Sequence, residues 1–225
     1  NTIFLVFVDV HVTLISNGMS TIKTSNGDNV LNLSGTGSFN VTAGTGVDNI
    51  ASGAGNDILN SGAGNDTING NAGDDRLIAG AGNDTLSGGI GDDVLEGGTD
   101  DDSYYFNAGD GQDVIKDSGG IDQVVFGDGV LKDDLWFMRS GKDLVVNNTK
   151  TQDEVKVTNW FGSKNNQLES FSLASGEVLS GQAVASLVQA MASFNPQPMA
   201  EMAMNSAQQA QYQDILKNTW VDPTK

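Results

Sequence analysis

A nine-residue period constrains this chain more than any other feature. From Ser52 the sequence reads SGAGNDILN, then SGAGNDTIN from Ser61, GNAGDDRLI from Gly70, AGAGNDTLS from Ala79, GGIGDDVLE from Gly88 and GGTDDDSYY from Gly97. A weaker copy, AGTGVDNIA, precedes them from Ala43, and the register does not slip across the seven copies. Self-similarity at a short fixed period marks a stack of small structural units, none of which can bury an apolar face by itself.

Each column of the repeat has a physical job. Glycine in the second and fourth columns (Gly53 and Gly55, Gly62 and Gly64, Gly80 and Gly82, Gly89 and Gly91, and Gly73 in the fourth column of its copy) permits positive φ and close backbone approach, as a tight ion-cradling turn requires. The sixth column is always aspartate: Asp48, Asp57, Asp66, Asp75, Asp84, Asp93 and Asp102. The eighth is always apolar: Ile50, Leu59, Ile68, Leu77, Leu86, Leu95 and Tyr104. Each copy therefore reads as a six-residue polar turn followed by a three-residue strand with one inward side chain. If one copy is half a coil, residues eighteen apart stack, and two ladders follow: Asp48–Asp66–Asp84–Asp102 on one edge and Asp57–Asp75–Asp93 on the other.

The charge balance says what such ladders need. Net charge is −18, from 11 Lys and Arg against 29 Asp and Glu. Such a chain repels nucleic acid and anionic lipid and recruits cations. Between Asp48 and Asp102, eleven Asp and one Glu face the single Arg76. Stacked strands sit about 4.8 Å apart, where like charges repel by about 1 kcal/mol per pair even in water. Ca²⁺ takes about six to eight oxygens from carboxylates and carbonyls, which two stacked Asp-bearing turns supply; filling the stacked turns gives about five to eight ions. The block is expected to be unfolded without Ca²⁺ and to fold cooperatively on binding it. A flexible linker would not hold Asp and an apolar residue in fixed columns. An EF-hand is excluded because no twelve-residue loop ends in a ligating Glu.

These residues carry a resemblance to the RTX (repeats-in-toxin) family of haemolysin-type calcium-binding proteins, whose repeat is G-G-x-G-x-D-x-U-x with U a large apolar residue. The match spans Ala43 to Tyr105 and departs from the pattern at Asn71 and Asp100. Farther on, Gly109, Gly111, Asp113 and Ile115 restart it after a two-residue insertion. Asp113 and Asp122 then continue the ligand column, while Asp110 and Asp117 read equally well as ligands or as acidic turn residues. The resemblance implies an all-β fold: a right-handed parallel β-roll with a C-terminal β cap and a short C-terminal helix, and Ca²⁺ as the cofactor.

Four segments are expected: 1–33, a leading strand or the end of an upstream domain; 34–122, the calcium-binding roll; 123–180, a β-rich cap; and 181–225, a helical, low-charge tail. The apolar stretch Ile3–Ile15 lacks a basic leader and alternates in polarity, so it reads as a strand. No run reaches the roughly 18 apolar residues of a transmembrane helix. From Gln123 the pattern becomes ordinary β, with VVF, DDLWFM, DLVVNN, EVKVTNWF, LESFSL and EVL separated by turns at Ser140–Gly141 and Ser175–Gly176. The NWF at Asn159–Phe161 is similar to the cap that follows RTX repeats, and Trp136, Phe137, Trp160 and Phe161 read as core rather than ligand-binding aromatics. In the tail, Val184, Leu187, Val188, Met191 and Phe194 fall at helical spacing and stop at Asn195–Pro196. Glu201 is the only charge between Gly181 and Gln213. By resemblance this tail is a type I secretion signal; the plainer account is a C-terminal helix with a loose end.

The search for catalytic chemistry is negative. There is no Cys, the single histidine is His11 on the leading strand, and neither an HExxH nor a G-x-S-x-G motif occurs. The chain is therefore expected not to be an enzyme. The leading reading is the C-terminal secretion and folding module of a large exoprotein, an adhesin, secreted or displayed on the surface of a Gram-negative bacterium. The alternative is the C-terminal region of a secreted toxin or hydrolase whose catalytic domain lies upstream. An ice-binding roll is disfavoured, because the third column (Thr45, Ala54, Ala63, Ala72, Ala81, Ile90 and Thr99) is not a flat Thr row. The expected partners are calcium ions and, through the tail, the type I secretion machinery. No nucleic acid and no transmembrane segment are expected, and exposed sheet edges leave self-association open.

Overall fold

The computed structural model describes residues 2–4, 11–192 and 206–223. Within them the chain winds into a stack of coils, and each coil gives one short strand to each of two parallel sheets. The first sheet runs from Thr2–Phe4 through Ser20–Lys23, Phe39–Thr42, Ile58–Ala63, Arg76–Ala81 and Val94–Thr99 to Gln112–Lys116. The second runs from His11–Ile15 through Val30–Ser34, Asn49–Ala51, Thr67–Asn69, Thr85–Ser87 and Ser103–Phe106 to Gln123–Phe126. Leu59 pairs with Leu77 and Ile68 with Leu86, the eighteen-residue register that two nonapeptides dictate. Past the insertion the step becomes twenty, with Leu95 opposite Ile115 and Tyr104 opposite Val124.

The core is built from the eighth column. Ile50, Leu59, Leu77, Leu86, Leu95 and Tyr104 are fully buried, stacked in two rows between the sheets. The first column also faces inward, with small residues where the turn begins. Ser52 Oγ donates to the carbonyl of Gly70 (2.7 Å) and Ser61 Oγ to that of Ala79 (3.2 Å), so each buried hydroxyl is satisfied one coil away.

Three local features differ from the sequence-based picture. In the first sheet the repeat strands Ile58–Ala63, Arg76–Ala81 and Val94–Thr99 are six residues long rather than three, because pairing continues into the following turn, where Gly62 lies opposite Gly80 and Ala63 opposite Ala81. The stretch Ile3–Ile15 is not one strand. Thr2–Phe4 and His11–Ile15 lie in different sheets, and residues 5–10 fall outside the described set. Alternating polarity is the same for one long strand and for two short ones, so periodicity does not tell them apart. Both strands join the coils, and Ile22, Leu31, Leu33, Phe39 and Val41 carry the buried rows through a segment with no nonapeptide. Finally, Asn71 and Asp100 stand in glycine columns yet keep positive φ, at 67° and 77°. Asn and Asp are the non-glycine residues that reach this conformation at least cost.

The C-terminal part closes the stack. Glu154–Val157 and Ser170–Leu173 add in parallel to the last strand of each sheet, and the antiparallel strands Asp143–Asn148, Leu135–Ser140 and Val178–Ser180 follow outward. Phe137, Trp160 and Phe171 fill this region, and the Phe137 and Phe171 rings meet edge to face at 5.5 Å. Phe161 is only partly buried and lies under the Arg139 guanidinium, 4.6 Å from the ring centre. Helix α1, Gly181–Ala192, buries Val184, Leu187, Val188 and Met191. Phe194 and Asn195–Pro196 lie outside the described residues.

A second helix, α2, spans Ser206–Thr219, where sequence periodicity indicates only a low-charge tail. Its Tyr212 and Leu216 are buried, as is Trp220 just beyond, and the Tyr212 hydroxyl donates to the carbonyl of Leu135 (2.7 Å). Such a sparse apolar stripe is helical because the cap receives it, as short helices draw most of their stability from packing. Val221 then bridges to Val178, covering the edge of the second sheet. Among the described residues no helix is long and apolar enough to cross a membrane.

Candidate metal centres along the coil edges

Each sixth-column Asp ends a turn at the point where the chain re-enters a strand. One of its oxygens serves the backbone of the coil before it. On one edge Oδ1 of Asp66 accepts from the N–H of Asp48 (2.8 Å), Asp84 from Asp66 (2.7 Å) and Asp102 from Asp84 (2.9 Å). On the other, Asp57 accepts from Phe39 (2.6 Å), Asp75 from Asp57 (2.7 Å) and Asp93 from Asp75 (2.7 Å). Both rows cross the insertion, since Asp113 accepts from Asp93 (3.0 Å) and Asp122 from Asp102 (2.8 Å). Asp48 closes the start by accepting from the backbone and the side-chain amide of Asn29, at 2.9 and 2.6 Å. All nine predicted aspartates thus lie in two edge rows, and all are buried.

The second oxygen has no such use. Oδ2 of Asp48, Asp57, Asp66, Asp75, Asp84, Asp93, Asp102 and Asp122 is buried and has no hydrogen-bond partner. It points back across its own turn: a Cβ placed on Gly70, Gly88 or Gly97 would come within 2.3, 2.0 and 2.3 Å of Oδ2 of Asp75, Asp93 and Asp102. A buried acceptor left without a donor costs about 1–3 kcal/mol, and an unpaired buried carboxylate costs more. Burial accordingly pushes Asp75, Asp102 and Asp113 up to about 8, Asp84 and Asp122 to about 7 and Asp93 to about 6, and raises Asp48 and Asp57 as well. The carboxylates stacked above and below add to the rise at Asp75 and Asp102.

The turn glycines let these edges stack closely. Gly62 and Gly64 have φ of 110° and 140°, and a Cβ on Gly64 would lie 1.7 Å from the carbonyl oxygen of Gly46. Gly53 and Gly55 are outside the left-handed region, but a Cβ on either would come within 2.6 Å of the carbonyl of Gly35 or Gly37. At the start of the turn a Cβ on Gly70 would lie 2.5 Å from the carbonyl oxygen of Gly88 and 2.3 Å from Oδ2 of Asp75, so a backbone carbonyl packs beside that orphaned oxygen. A dry, anionic, all-oxygen donor set of this kind fits a hard divalent cation such as Ca²⁺. It does not fit a soft metal, for there is no cysteine and the single His11 is exposed.

Sequence reasoning missed two parts of this arrangement. The fifth column stitches the turns in the opposite direction: Asn56 accepts from the N–H of Asp74 (3.1 Å), Asp74 from Asp92 (3.1 Å), Asn65 from Asn83 (3.0 Å) and Asn83 from Asp101 (3.1 Å). That column is Asn or Asp from Asn56 to Asp101 and was visible in the alignment of the copies. The other is Glu169, whose Oε2 accepts from the N–H of Asp122 (2.7 Å) and ends one ladder from within the cap. It lies 47 residues from its partner, and no period announces it. Of the two ambiguous residues, Asp110 accepts from the N–H of Asn107 (2.7 Å) as a turn residue does, whereas Asp117 is drawn in beside Asp102 and Asp122.

Fold and edge chemistry together define a parallel β-roll built around rows of inward carboxylates that a hard cation would hold together. Comparison with known families assigns residues 42–77 and 69–104 to the RTX calcium-binding nonapeptide repeat (4 copies), and residues 143–183 to the haemolysin-type calcium binding protein related domain. Residues 42–104 are thus a block of RTX haemolysin-type calcium-binding repeats, and residues 143–183 match a domain that is related to them. Among solved structures it is similar to the extracellular lipase LipA from Serratia marcescens, at 16% identity and a TM-score of 0.38, over 64% of this chain and 37% of that one. The similarity therefore spans well under half of the lipase and carries no argument about activity. Comparison with curated proteins finds no match.

Proposed function

We propose that this chain is a calcium-dependent folding and secretion module, the non-catalytic C-terminal region of a large exoprotein, an adhesin, exported by a type I machine that reads the segment 181–225. The ligands on this reading are Asp48, Asp57, Asp66, Asp75, Asp84, Asp93, Asp102, Asp113 and Asp122, with the carbonyls of the turn glycines, in about five to eight sites. In the cytosol, where free Ca²⁺ is scarce, repulsion along the ladders keeps the repeats unfolded and threadable. Outside the cell, binding to the folded state alone drives the coils together and hinders return.

The row of buried Oδ2 atoms without partners carries this reading. A roll stabilised by its own contacts would not leave one orphaned carboxylate oxygen in half-coil after half-coil. Far-UV circular dichroism during a Ca²⁺ titration tests it: β signal should be low in excess chelator and rise cooperatively as the ion is added. A complete β signal in chelator would sink the proposal. For the export half, a chain lacking residues 181–225 should remain in the cell, and its secretion at the full-length level would contradict the role given to the tail. Sequence N-terminal to Asn1 decides between adhesin and toxin or hydrolase: tandem immunoglobulin-like repeats there would favour the adhesin, and a catalytic motif would favour the hydrolase.

A further inference from the structure

The end of the roll departs from the repeat in a way that changes its chemistry. The turn 117–122, DSGGID, stacks on the turn 97–102, with Ile121 N–H donating to Asp101 (2.8 Å) and Ser118 N–H to the carbonyl of Gly98 (3.2 Å). In this register Asp117 stands in the first column, which holds Ser, Gly or Ala in the copies from Ser52 to Gly97. An inward column of small residues thus receives a carboxylate. Ligand oxygens of Asp102, Asp117 and Asp122 lie within 4.8 Å of one another and all three residues are buried, the one such trio among the described residues.

The neighbours hold this third carboxylate in place. Asp117 Oδ2 accepts from the Tyr104 hydroxyl (2.5 Å) and Oδ1 from the N–H of Gly119 (2.7 Å). Tyr104 fills the eighth column, which is Ile or Leu in the other copies, and its hydroxyl also accepts from the N–H of Gly97 (3.1 Å). A phenol there in place of an aliphatic chain gives the buried Asp117 a donor. Asp102 is 1% exposed and its Oδ2, among the trio's buried oxygens, has no partner. Among the described residues no Lys or Arg pairs with any of the three carboxylates.

We propose that Asp117 joins the ladder carboxylates Asp102 and Asp122 in the last site of that edge, giving it three carboxylates where the repeat turns offer two, and that this site retains a hard divalent cation more tightly than the others do. This deepens the calcium reading above and rests on it. Affinity in all-oxygen sites rises with the number of charged ligands and with their rigidity, and this site gains in both. Asp117 supplies the third charge and Tyr104 positions it.

Equilibrium dialysis of the full chain against Ca²⁺-buffered solutions, counting ions bound per chain, tests the proposal. The wild type should keep one ion at a free Ca²⁺ concentration about tenfold or more below that at which the remaining sites fill. That step should vanish in Asp117→Asn and in Asp117→Ser, while the other ions still bind. The serine variant installs the residue that Ser52 and Ser61 carry in the same column, so it keeps the packing of a normal turn. A wild-type curve without the early step, an unchanged step in both variants, or loss of all ions in both would overturn the proposal. Failure of the wild type to bind any Ca²⁺ would instead refute the calcium reading itself.

Discussion

Replacing Asp75 by Asn separates the two roles that the structure gives a ladder carboxylate. The amide keeps the shape and the oxygen that accepts from Asp57 N–H (2.7 Å), but it removes the charge. Without an ion, burial followed by the charges of Asp57 and Asp93 pushes the Asp75 carboxyl from 3.8 to about 8. At pH 7, about three units above the ordinary value, a group so raised costs the folded chain up to about 4 kcal/mol at roughly 1.4 kcal/mol per unit. Screening by solvent leaves about half of that. Asp75→Asn should therefore stabilise the ion-free roll by about 2 kcal/mol. With calcium present the sign reverses, since a ligand charge is lost, and the Ca²⁺ midpoint should rise by about tenfold, or roughly 1.4 kcal/mol. Far-UV circular dichroism at pH 7, as the amplitude of the β signal in chelator and as a Ca²⁺ titration, reads both effects. A variant that is destabilised equally with and without calcium, or whose Ca²⁺ midpoint does not move, would show that Asp75 is only a backbone cap.

The same raised carboxyls make the ion-free chain respond to acid. Their contribution to folded stability is present below their ordinary value near 3.8 and is lost as pH rises through about 6 to 8, so β signal in chelator should grow on going from pH 8 to pH 4.5; a flat profile would refute the burial argument. Gly64→Ala should destabilise the calcium-loaded roll by about 1–3 kcal/mol from backbone strain alone, with the contact to the Gly46 carbonyl adding to it. A thermal midpoint equal to that of the wild type would show that the coils are not stacked this closely.

How much was legible beforehand follows from which interactions have a period. Ladders and core rows could be read directly, because residues eighteen apart are forced together once each nonapeptide is half a coil. Asp113 and Asp122 could be placed because their insertion shifts both rows equally, from eighteen to twenty. The six-residue strands of the first sheet were hidden, since Gly62 and Ala63 look like turn residues and pair only because the next coil presents Gly80 and Ala81. The coils formed by Ser20–Lys23 and Val30–Ser34 lack the repeat, and their buried Ile22 and Leu31 keep the inward rows but not the spacing.

The sequence by itself determined the period, the two edges, the charge that must be neutralised and hence the kind of ion, because each is a property of columns that repeat along the chain. Tertiary structure alone decided how the stack ends. It brought Glu169 to the N–H of Asp122, set α2 against the carbonyl of Leu135, and turned Asp117 into the space beside Asp102 and Asp122. Those contacts join segments with no shared period, across connections of unequal length, so only the packed chain brings them together.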